Sequence, residues 1–180
     1  MEIEHTTADH KLINMTRFLK AAPAGIVVEV GVWKGGSIGY LASIFPERQF
    51  FGFDTFEGMP ESCSLDNHHK RGDFGDTSFE EVGRKLSGLS NVILVKGLFP
   101  ASDVTAELPI AMVHCDVDLY ESTLAVLRHF HARMQPGGRI YCDDAFQATC
   151  EGATLALCQF AAETKKVPQF DLGFHSAFCF

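Results

Sequence analysis

The sequence has no long hydrophobic run and no apolar leader, and these absences exclude two classes of protein. Its apolar runs reach only about 5 to 8 residues, whereas a membrane-spanning helix needs about 20. The first residues, Met1 to His5, have no apolar stretch, so we do not expect them to form a signal peptide. We therefore expect a cytoplasmic protein with no membrane partner.

Basic residues are scarce relative to acidic ones. The 180-residue chain has 15 Lys and Arg against 23 Asp and Glu, a formal net charge of −8. Because a phosphate backbone selects the opposite charge balance, we expect a small-molecule partner and no nucleic acid. A chain of this length buries one full core, so residues 1–180 are expected to form a single domain.

Paired cysteine motifs are also absent. None of the six cysteines forms a Cys-x-x-Cys pair, and Cys115 and Cys142 lie inside apolar runs. This pattern favours reduced thiols that pack as small hydrophobic residues over a disulfide framework.

The sequence does contain four short apolar runs that end in, or next to, a carboxylate. These carboxylates belong to Glu29, Asp54, Asp116 and the pair Asp143–Asp144. Short apolar runs between amphipathic stretches predict buried parallel strands, and ligands of such sheets bind in the crevice at the strands' carboxyl ends. Because like charges close together disfavour joint ionisation, the ligand of this crevice is expected to be cationic, a metal, or both.

The hydrophobic periodicity predicts an alternation of helices and strands. Helices are predicted over residues 6–20, 37–44, 78–86, 121–134 and 152–164, and strands over 26–30, 49–54, 91–96, 110–116 and 139–143. Segments 167–171 and 175–180 predict a closing antiparallel hairpin. Segment 55–77 has no sustained period, which is typical of a mobile lid or binding loop.

A glycine-rich loop, Gly31–Ser37, follows the first predicted strand where it turns into a helix. Such a loop lets backbone N–H groups approach a ligand, although a tight turn is the alternative interpretation. Asp54 lies 23 residues after Gly31, near the spacing of about 20 for an acid that holds ribose hydroxyls. Glu29 would repel the pyrophosphate of a dinucleotide and attract an amino group. This combination favours S-adenosylmethionine.

A second acidic cluster follows the fourth and fifth strands. Asp116 and Asp118 come from one strand end, and Asp143 and Asp144 come from the next. Carboxylates from neighbouring strands can reach one hard cation, and Mg²⁺ prefers such oxygen ligands. A bound metal would hold a substrate hydroxyl and lower its pKa. The alternative is that the Asp143–Asp144 pair caps the following helix.

His114 and the basic cluster His68–Arg71 could have a catalytic or binding role, but we expect a structural role for both. His114, inside the fourth strand, is expected to be a hydrogen-bonded core residue. The basic cluster His68–Arg71 is expected to be a solvated part of the loop, although a His there could act as a base.

Together these motifs resemble the macrocin O-methyltransferase (TylF-type) family of class I S-adenosylmethionine-dependent methyltransferases. The resemblance runs over residues 27–146, through VEVGVWKGGS, FGFDTFEGMPE, GDTS, VKGLFP, HCDVDLYEST and PGG followed by two aspartates. It implies an α/β, Rossmann-like fold with a mostly parallel seven-stranded sheet, helices on both faces and a C-terminal antiparallel hairpin.

The resemblance also implies two groups of site residues. The cofactor-binding group is Glu29, Gly31, Gly35, Gly36, Ser37, Asp54, Thr55, Phe56, Lys96, Gly97 and Asp116. The Mg²⁺ ligands are Asp116, Asp143 and Asp144. Asp116 is then the leading catalytic residue, and Asp118 is a second candidate proton acceptor unless it caps the helix after Leu119.

The expected function is therefore a magnesium-dependent O-methyltransferase that acts on a hydroxylated small molecule, such as a sugar of a natural product. Members of the family have a longer segment before the first strand, which helps to build a dimer. Here the acceptor pocket is expected to come from the 55–77 loop or from a second subunit. Two alternatives are a non-catalytic S-adenosylmethionine-binding protein and a Mg-dependent phosphatase that uses Asp116 and Asp118.

Overall fold

The computed structural model describes residues 7–171 and 175–180. The helices are α1 (Asp9–Leu19), α2 (Gly36–Ile44), α3 (Phe79–Lys85), α4 (Tyr120–Phe130) and α5 (Glu151–Thr164). The strands are β1 (Ile26–Val30), β2 (Phe50–Asp54), β3 (Val92–Lys96), β4 (Ile110–Cys115), β5 (Met134–Cys142), β6 (Gln169–Asp171) and β7 (His175–Cys179).

The strands of the described residues form one mixed sheet in the order β3-β2-β1-β4-β5-β7-β6. Strands β1 to β5 pair in parallel, and β7 pairs antiparallel with both β5 and β6. The predicted fold class and its closing antiparallel hairpin are confirmed. The strand order reverses between β1 and β4, and the carboxyl ends of these strands border the crevice where open α/β sheets bind ligands.

Two apolar cores cover the faces of the sheet. Val28 and Val30 of β1 pack in the core on the side of α4 and α5, whereas Val27 packs in the core formed with α1 and α2. All of β1 and β4 is buried, as expected of parallel strands with helices on both faces. This burial fixes the strand ends, and therefore the residues that follow them, at one edge of the sheet.

The fifth strand begins earlier and the preceding helix ends earlier than predicted. Helix α4 ends at Phe130 rather than at Met134, and β5 starts at Met134 rather than at Arg139. The pairing with β4 shifts its register so that Ile110 pairs with Met134 and Met112 with Arg139. The Pro-Gly-Gly sequence disfavours helix in the residue before the proline and is accommodated as an irregularity within the strand.

The remaining predictions about composition can be placed on the structure. All six cysteines are free thiols, and Cys115, Cys142 and Cys150 are buried. Among the described residues, no helix is both long and apolar enough to cross a bilayer. The predicted start of the first helix at Thr6 lies outside the described residues.

Candidate active site

One large cavity opens at the carboxyl ends of β1, β2, β4 and β5. Its volume is about 1220 Å³, and residues from both predicted groups line it. The predicted site residues in its wall are Gly31, Gly36, Ser37, Asp54, Thr55, Gly97, Asp116, Asp118, Asp143 and Asp144. Glu29, Gly35, Phe56 and Lys96 are not in this wall.

The turn after β1 requires glycine at its first position. Gly31 has a φ of +92°, and a Cβ atom there would lie 1.7 Å from the carbonyl oxygen of Asp116. Only a residue without a side chain allows the ends of β1 and β4 to approach this closely. Gly35 also has a positive φ and is the N-cap of α2, where a Cβ would crowd Val82.

Asp54 is held by the backbone of the glycine loop. Its Oδ2 accepts hydrogen bonds from the amides of Val32 (2.8 Å) and Trp33 (2.7 Å), and its Oδ1 accepts one from the amide of Phe56 (2.7 Å). These bonds satisfy the charge of Asp54 without a cation and fix the loop beside the cavity. The predicted ribose contact would use the remaining lone pairs of this carboxylate.

Glu29 lies behind the cavity wall at the start of a buried polar chain. The Ser37 hydroxyl donates to Oε1 (2.8 Å), and His114 Nδ1 lies 3.1 Å from Oε2. The other ring nitrogen of His114 lies 3.2 Å from Asp143 Oδ1. Burial opposes protonation of His114, but Asp143 and Glu29 outweigh it and raise the pKa of His114 well above its usual value. The expected hydrogen-bonded role of His114 is confirmed.

Lys11 of α1 completes this chain from the opposite side. Its Nζ donates to the backbone oxygen of Asp143 (2.8 Å) and lies 2.5 Å from Asp143 Oδ2. Burial alone would raise the pKa of Asp143, but His114 and Lys11 lower it below its usual range. The sequence interpretation missed Lys11, although one signal was present. Lys11 stands four residues before the buried Met15, on the core-facing side of α1.

Asp116 and Asp144 of this wall are compensated less than Asp143. Burial raises the pKa of Asp116 well above its usual value, and the charges of Asp143 and Asp144 raise it further. Burial and the neighbouring charges of Asp118 and Asp143 do the same for Asp144. Among residues 7–171 and 175–180, no group donates a hydrogen bond to the Asp116 carboxylate, whereas Asp144 Oδ2 accepts one from the Asp118 amide (2.9 Å).

This wall contains oxygen ligands of the kind that a hard divalent cation takes. The ligand atoms of Asp116, Asp143 and His114 lie within 4.8 Å of one another, and Asp144 follows Asp143 directly along the cavity wall. Asp116 and Asp144 supply carboxylate oxygens, which are the donors that Mg²⁺ prefers. Lys11 and His114 each engage one oxygen of Asp143, so a metal would share this carboxylate with them.

Asp118 faces a different set of groups. Its φ is +57°, and its Oδ1 lies 3.5 Å from Cys150 Sγ and 3.8 Å from His69 Nε2. Burial raises its pKa, which His69 partly offsets. The expected alternative that Asp118 caps the next helix is wrong. The N-cap is Leu119 without a side-chain bond, and the Tyr120 amide donates to Asp66 Oδ1 (2.8 Å).

The segment 55–77 lines part of the cavity and contacts the start of α4 and the start of α5. Backbone bonds between Met59 and residues 72–73 close its base, and Asp66 anchors its middle to α4. A Cβ at Gly152 would lie 1.9 Å from Asp66 Oδ1, so the segment also contacts the start of α5. The expectation that His68–Arg71 is solvated is wrong for His69 alone, which is partly buried against Asp118 and Cys150.

The strand order, the glycine loop after β1 and the acid after β2 define a class I methyltransferase fold. Two solved structures share it. The O-methyltransferase NovP has a TM-score of 0.82 at 24% identity, covering 94% of this chain and 79% of NovP. The calicheamicin methyltransferase CalS11 has a TM-score of 0.81 at 20% identity, covering 97% and 81%.

Within this class, residues 11–170 match the family model of macrocin-O-methyltransferase (TylF), and the chain belongs to that family. It is 29% identical to mycinamicin III 3''-O-methyltransferase of Micromonospora griseorubida, covering 83% of this chain and 70% of the relative. It is 31% identical to a tetracenomycin-C 4'-O-methyltransferase of Streptomyces olivaceus that acts on a dimethoxyrhamnosyl derivative, covering 72% and 56%. The chain thus spans little more than half of the second relative.

Proposed function

We propose that the protein transfers the methyl group of S-adenosylmethionine to a hydroxyl of a glycosylated natural product, with Mg²⁺ as a second cofactor. The observation that carries this proposal is the arrangement of the single cavity described above. One wall is the glycine loop with its hydrogen-bonded acid. In the other wall Asp143 pairs with Lys11 and His114, whereas Asp116 and Asp144 form no ion pair with any described residue. Asp116 stands between the two walls. Family membership and the names of the relatives support O-methylation as the reaction and a sugar hydroxyl as the acceptor.

The first wall, here called the cofactor wall, would hold the cofactor through backbone groups and small side chains. Gly31, Gly36 and Ser37 line the cavity where an amino acid moiety would lie, and Asp54 and Thr55 line it where a ribose would lie. Glu29 would act through Ser37, whose hydroxyl it fixes. Of the predicted cofactor-binding residues Lys96 and Gly97, only Gly97 lines the cavity, because Lys96 extends to Glu57 (2.8 Å) at the surface.

The second wall, here called the acceptor wall, contains Asp116, Asp118, Asp143 and Asp144 and would hold the acceptor. We assign proton removal from the acceptor hydroxyl to Asp116, because its carboxylate lines the cavity beside the other acids of this wall. Asp118 is the second candidate, since it also lines the cavity. Mg²⁺ bound by Asp116, Asp143 and Asp144 would supply Lewis-acid stabilisation of the acceptor oxygen. Lys11 and His114 hold Asp143 in position for this task.

Binding and turnover should be tested separately. Calorimetry with S-adenosylhomocysteine tests the cofactor wall, and labelled methyl transfer to mycinamicin III and related glycosides tests the acceptor wall. We expect Asp116→Asn to lower kcat about 10³-fold, with S-adenosylhomocysteine affinity within about threefold of the wild type. We expect less than about a tenfold loss for the matched variant Asp118→Asn.

Three results would change the proposal. Absence of S-adenosylhomocysteine binding would overturn the methyltransferase assignment. Binding without turnover on any hydroxylated acceptor would favour the non-catalytic S-adenosylmethionine-binding alternative. A larger loss for Asp118→Asn than for Asp116→Asn would transfer the proton acceptor role to Asp118.

A further inference from the structure

A second cluster of metal-ligating side chains lies beside the cavity and has a different chemical character. It contains His69 of the 55–77 segment, Asp118 of the β4–α4 turn and Cys150 at the N-cap of α5. The ligand atoms of these residues all lie within 4.8 Å of one another. They come from three separate segments that only the folded chain brings together.

The two distances from Cys150 match the edges of a tetrahedral metal site, and the distance between His69 and Asp118 exceeds such an edge by about 0.5 Å. Cys150 Sγ lies 3.6 Å from His69 Nε2 and 3.5 Å from Asp118 Oδ1, and His69 Nε2 lies 3.8 Å from Asp118 Oδ1. In a tetrahedral Zn²⁺ site with bonds of about 2.0 to 2.3 Å, sulfur lies about 3.5 Å from a nitrogen or oxygen ligand, and nitrogen lies about 3.3 Å from an oxygen ligand. The three atoms could therefore bind one ion with little movement of the chain.

A carboxylate lies near the histidine of the cluster, and the three side chains are buried or partly buried. Asp73 Oδ2 lies 3.8 Å from His69 Nδ1, on the side of the ring away from the cluster. This distance is longer than a hydrogen bond, so Asp73 would have to approach His69 to orient it as carboxylates orient histidine ligands in metal sites. Cys150 is buried, with 3% of its surface exposed, and His69 and Asp118 are partly buried, so the cluster is shielded from bulk solvent.

We propose that His69, Asp118 and Cys150 form a site for Zn²⁺ or a similar borderline-soft cation, separate from the magnesium ligands of the acceptor wall. A sulfur and an imidazole ligand select Zn²⁺ over Mg²⁺, which prefers oxygen alone. A bound ion would join the 55–77 segment to the β4–α4 turn and to α5. It would therefore hold closed the segment that covers the acceptor side of the cavity.

Co²⁺ is the probe that reports the proposed ligands directly. In the metal-free protein, added Co²⁺ is expected to produce a thiolate-to-cobalt charge-transfer band together with the visible bands of tetrahedral coordination. The band should be displaced by Zn²⁺ and not by Mg²⁺. No charge-transfer band in the wild type with excess Co²⁺ would overturn the proposal.

Matched variants assign the band to this cluster. We expect Cys150→Ser to abolish it and Cys158→Ser, which alters an exposed cysteine eight residues further along α5, to keep it. His69 is in the 55–77 segment and outside the apolar cores, so we expect His69→Gln to fold. This variant therefore tests the site even if Cys150→Ser does not fold. We expect His69→Gln to lose the band, and Asp73→Asn to weaken Co²⁺ binding about tenfold.

The magnesium ligands provide the last control. Asp143→Asn should leave the charge-transfer band unchanged, because Asp143 is not a member of the cluster. A band that survives both Cys150→Ser and His69→Gln, or that is lost in Cys158→Ser, would show that the thiolate signal comes from elsewhere and would contradict the proposal.

Discussion

The two walls of the cavity differ in how far the protein stabilises the ionised form of their acids. In the cofactor wall, Asp54 accepts three backbone hydrogen bonds and Glu29 is paired with Ser37 and His114. In the acceptor wall, Asp116 is partly buried and Asp144 is buried, and burial together with the neighbouring carboxylates raises their pKa values. The chain thus stabilises the first wall by itself and leaves the second wall to a ligand that brings positive charge.

Lys11 is the residue whose removal should perturb this division most. It forms a buried pair with Asp143, and breaking such a pair costs about 3 kcal/mol or more because one buried charge loses its partner. We expect Lys11→Met to lower the free energy of unfolding by about that amount in chemical denaturation. Added Mg²⁺ should then stabilise the variant more than it stabilises the wild type.

The control for this variant is Arg71→Met, at an exposed pair with Glu61. Exposed pairs contribute little, so its free energy of unfolding should remain close to that of the wild type. Equal losses for Lys11→Met and Arg71→Met would show that the Lys11–Asp143 pair is not special.

Gly31→Ala should disrupt the contact between the two walls. A Cβ there meets the Asp116 carbonyl oxygen, and φ is +92°, so we expect a loss of about 1 to 3 kcal/mol in stability. S-adenosylhomocysteine binding measured by calorimetry should weaken at least about a hundredfold, because the backbone must move at the proposed cofactor site.

Gly83→Ala in α3 provides a matched comparison, since nothing lies within 4 Å of its Cβ. Replacing glycine by alanine within a helix should stabilise it by about 0.5 to 1 kcal/mol. If both alanine variants bind S-adenosylhomocysteine equally well, the close approach of β1 and β4 has no role in the cofactor wall.

Asp103 lies outside the cavity and, like Asp54, is stabilised by hydrogen bonds from neighbouring groups of the protein. Burial opposes its ionisation, but Thr105, His129 and Arg133 outweigh burial and lower the pKa of Asp103 to about 2. Its stabilisation is therefore complete above about pH 4 and is lost as the pH falls towards about 2. In acid titrations, Asp103→Asn should lower stability by about 1 to 2 kcal/mol at pH 7 and by little at pH 2. Equal losses at both pH values would contradict this assignment.

Asp144→Asn should give the smallest effect, with the opposite sign. In metal-free buffer it removes one buried negative charge from the acceptor wall, so we expect stability to rise by up to about 1 kcal/mol. A marked loss of stability in differential scanning would show that the Asp118 amide, which donates to Asp144, compensates this carboxylate fully.

The sequence predicts the frame of the site better than the contacts across it. Buried strands that end in acids place Glu29, Asp54 and Asp116 at one edge of the sheet, because parallel strands align their carboxyl ends there. Helix ends were predicted less well, as α4 shows, because the Pro-Gly-Gly irregularity belongs to the pairing of β4 and β5.

Partners that come from distant segments were not predictable from local patterns. Lys11 reaches Asp143 over 132 positions, and Asp66 rather than Asp118 binds the Tyr120 amide. The burial of His69 has the same origin, since a loop without periodicity gives no indication of the helix against which it packs. Which carboxylates were compensated could therefore be seen only in three dimensions.

Thermal unfolding in chelator and in Mg²⁺, with and without S-adenosylhomocysteine, tests the division between the walls most directly. For the wild type, Mg²⁺ and S-adenosylhomocysteine should each raise Tm. For the Asp116→Asn, Asp144→Asn double variant, S-adenosylhomocysteine should still raise Tm and Mg²⁺ should not. If Mg²⁺ stabilises the double variant as much as the wild type, or stabilises neither, the acceptor wall does not depend on a cation and the division is wrong.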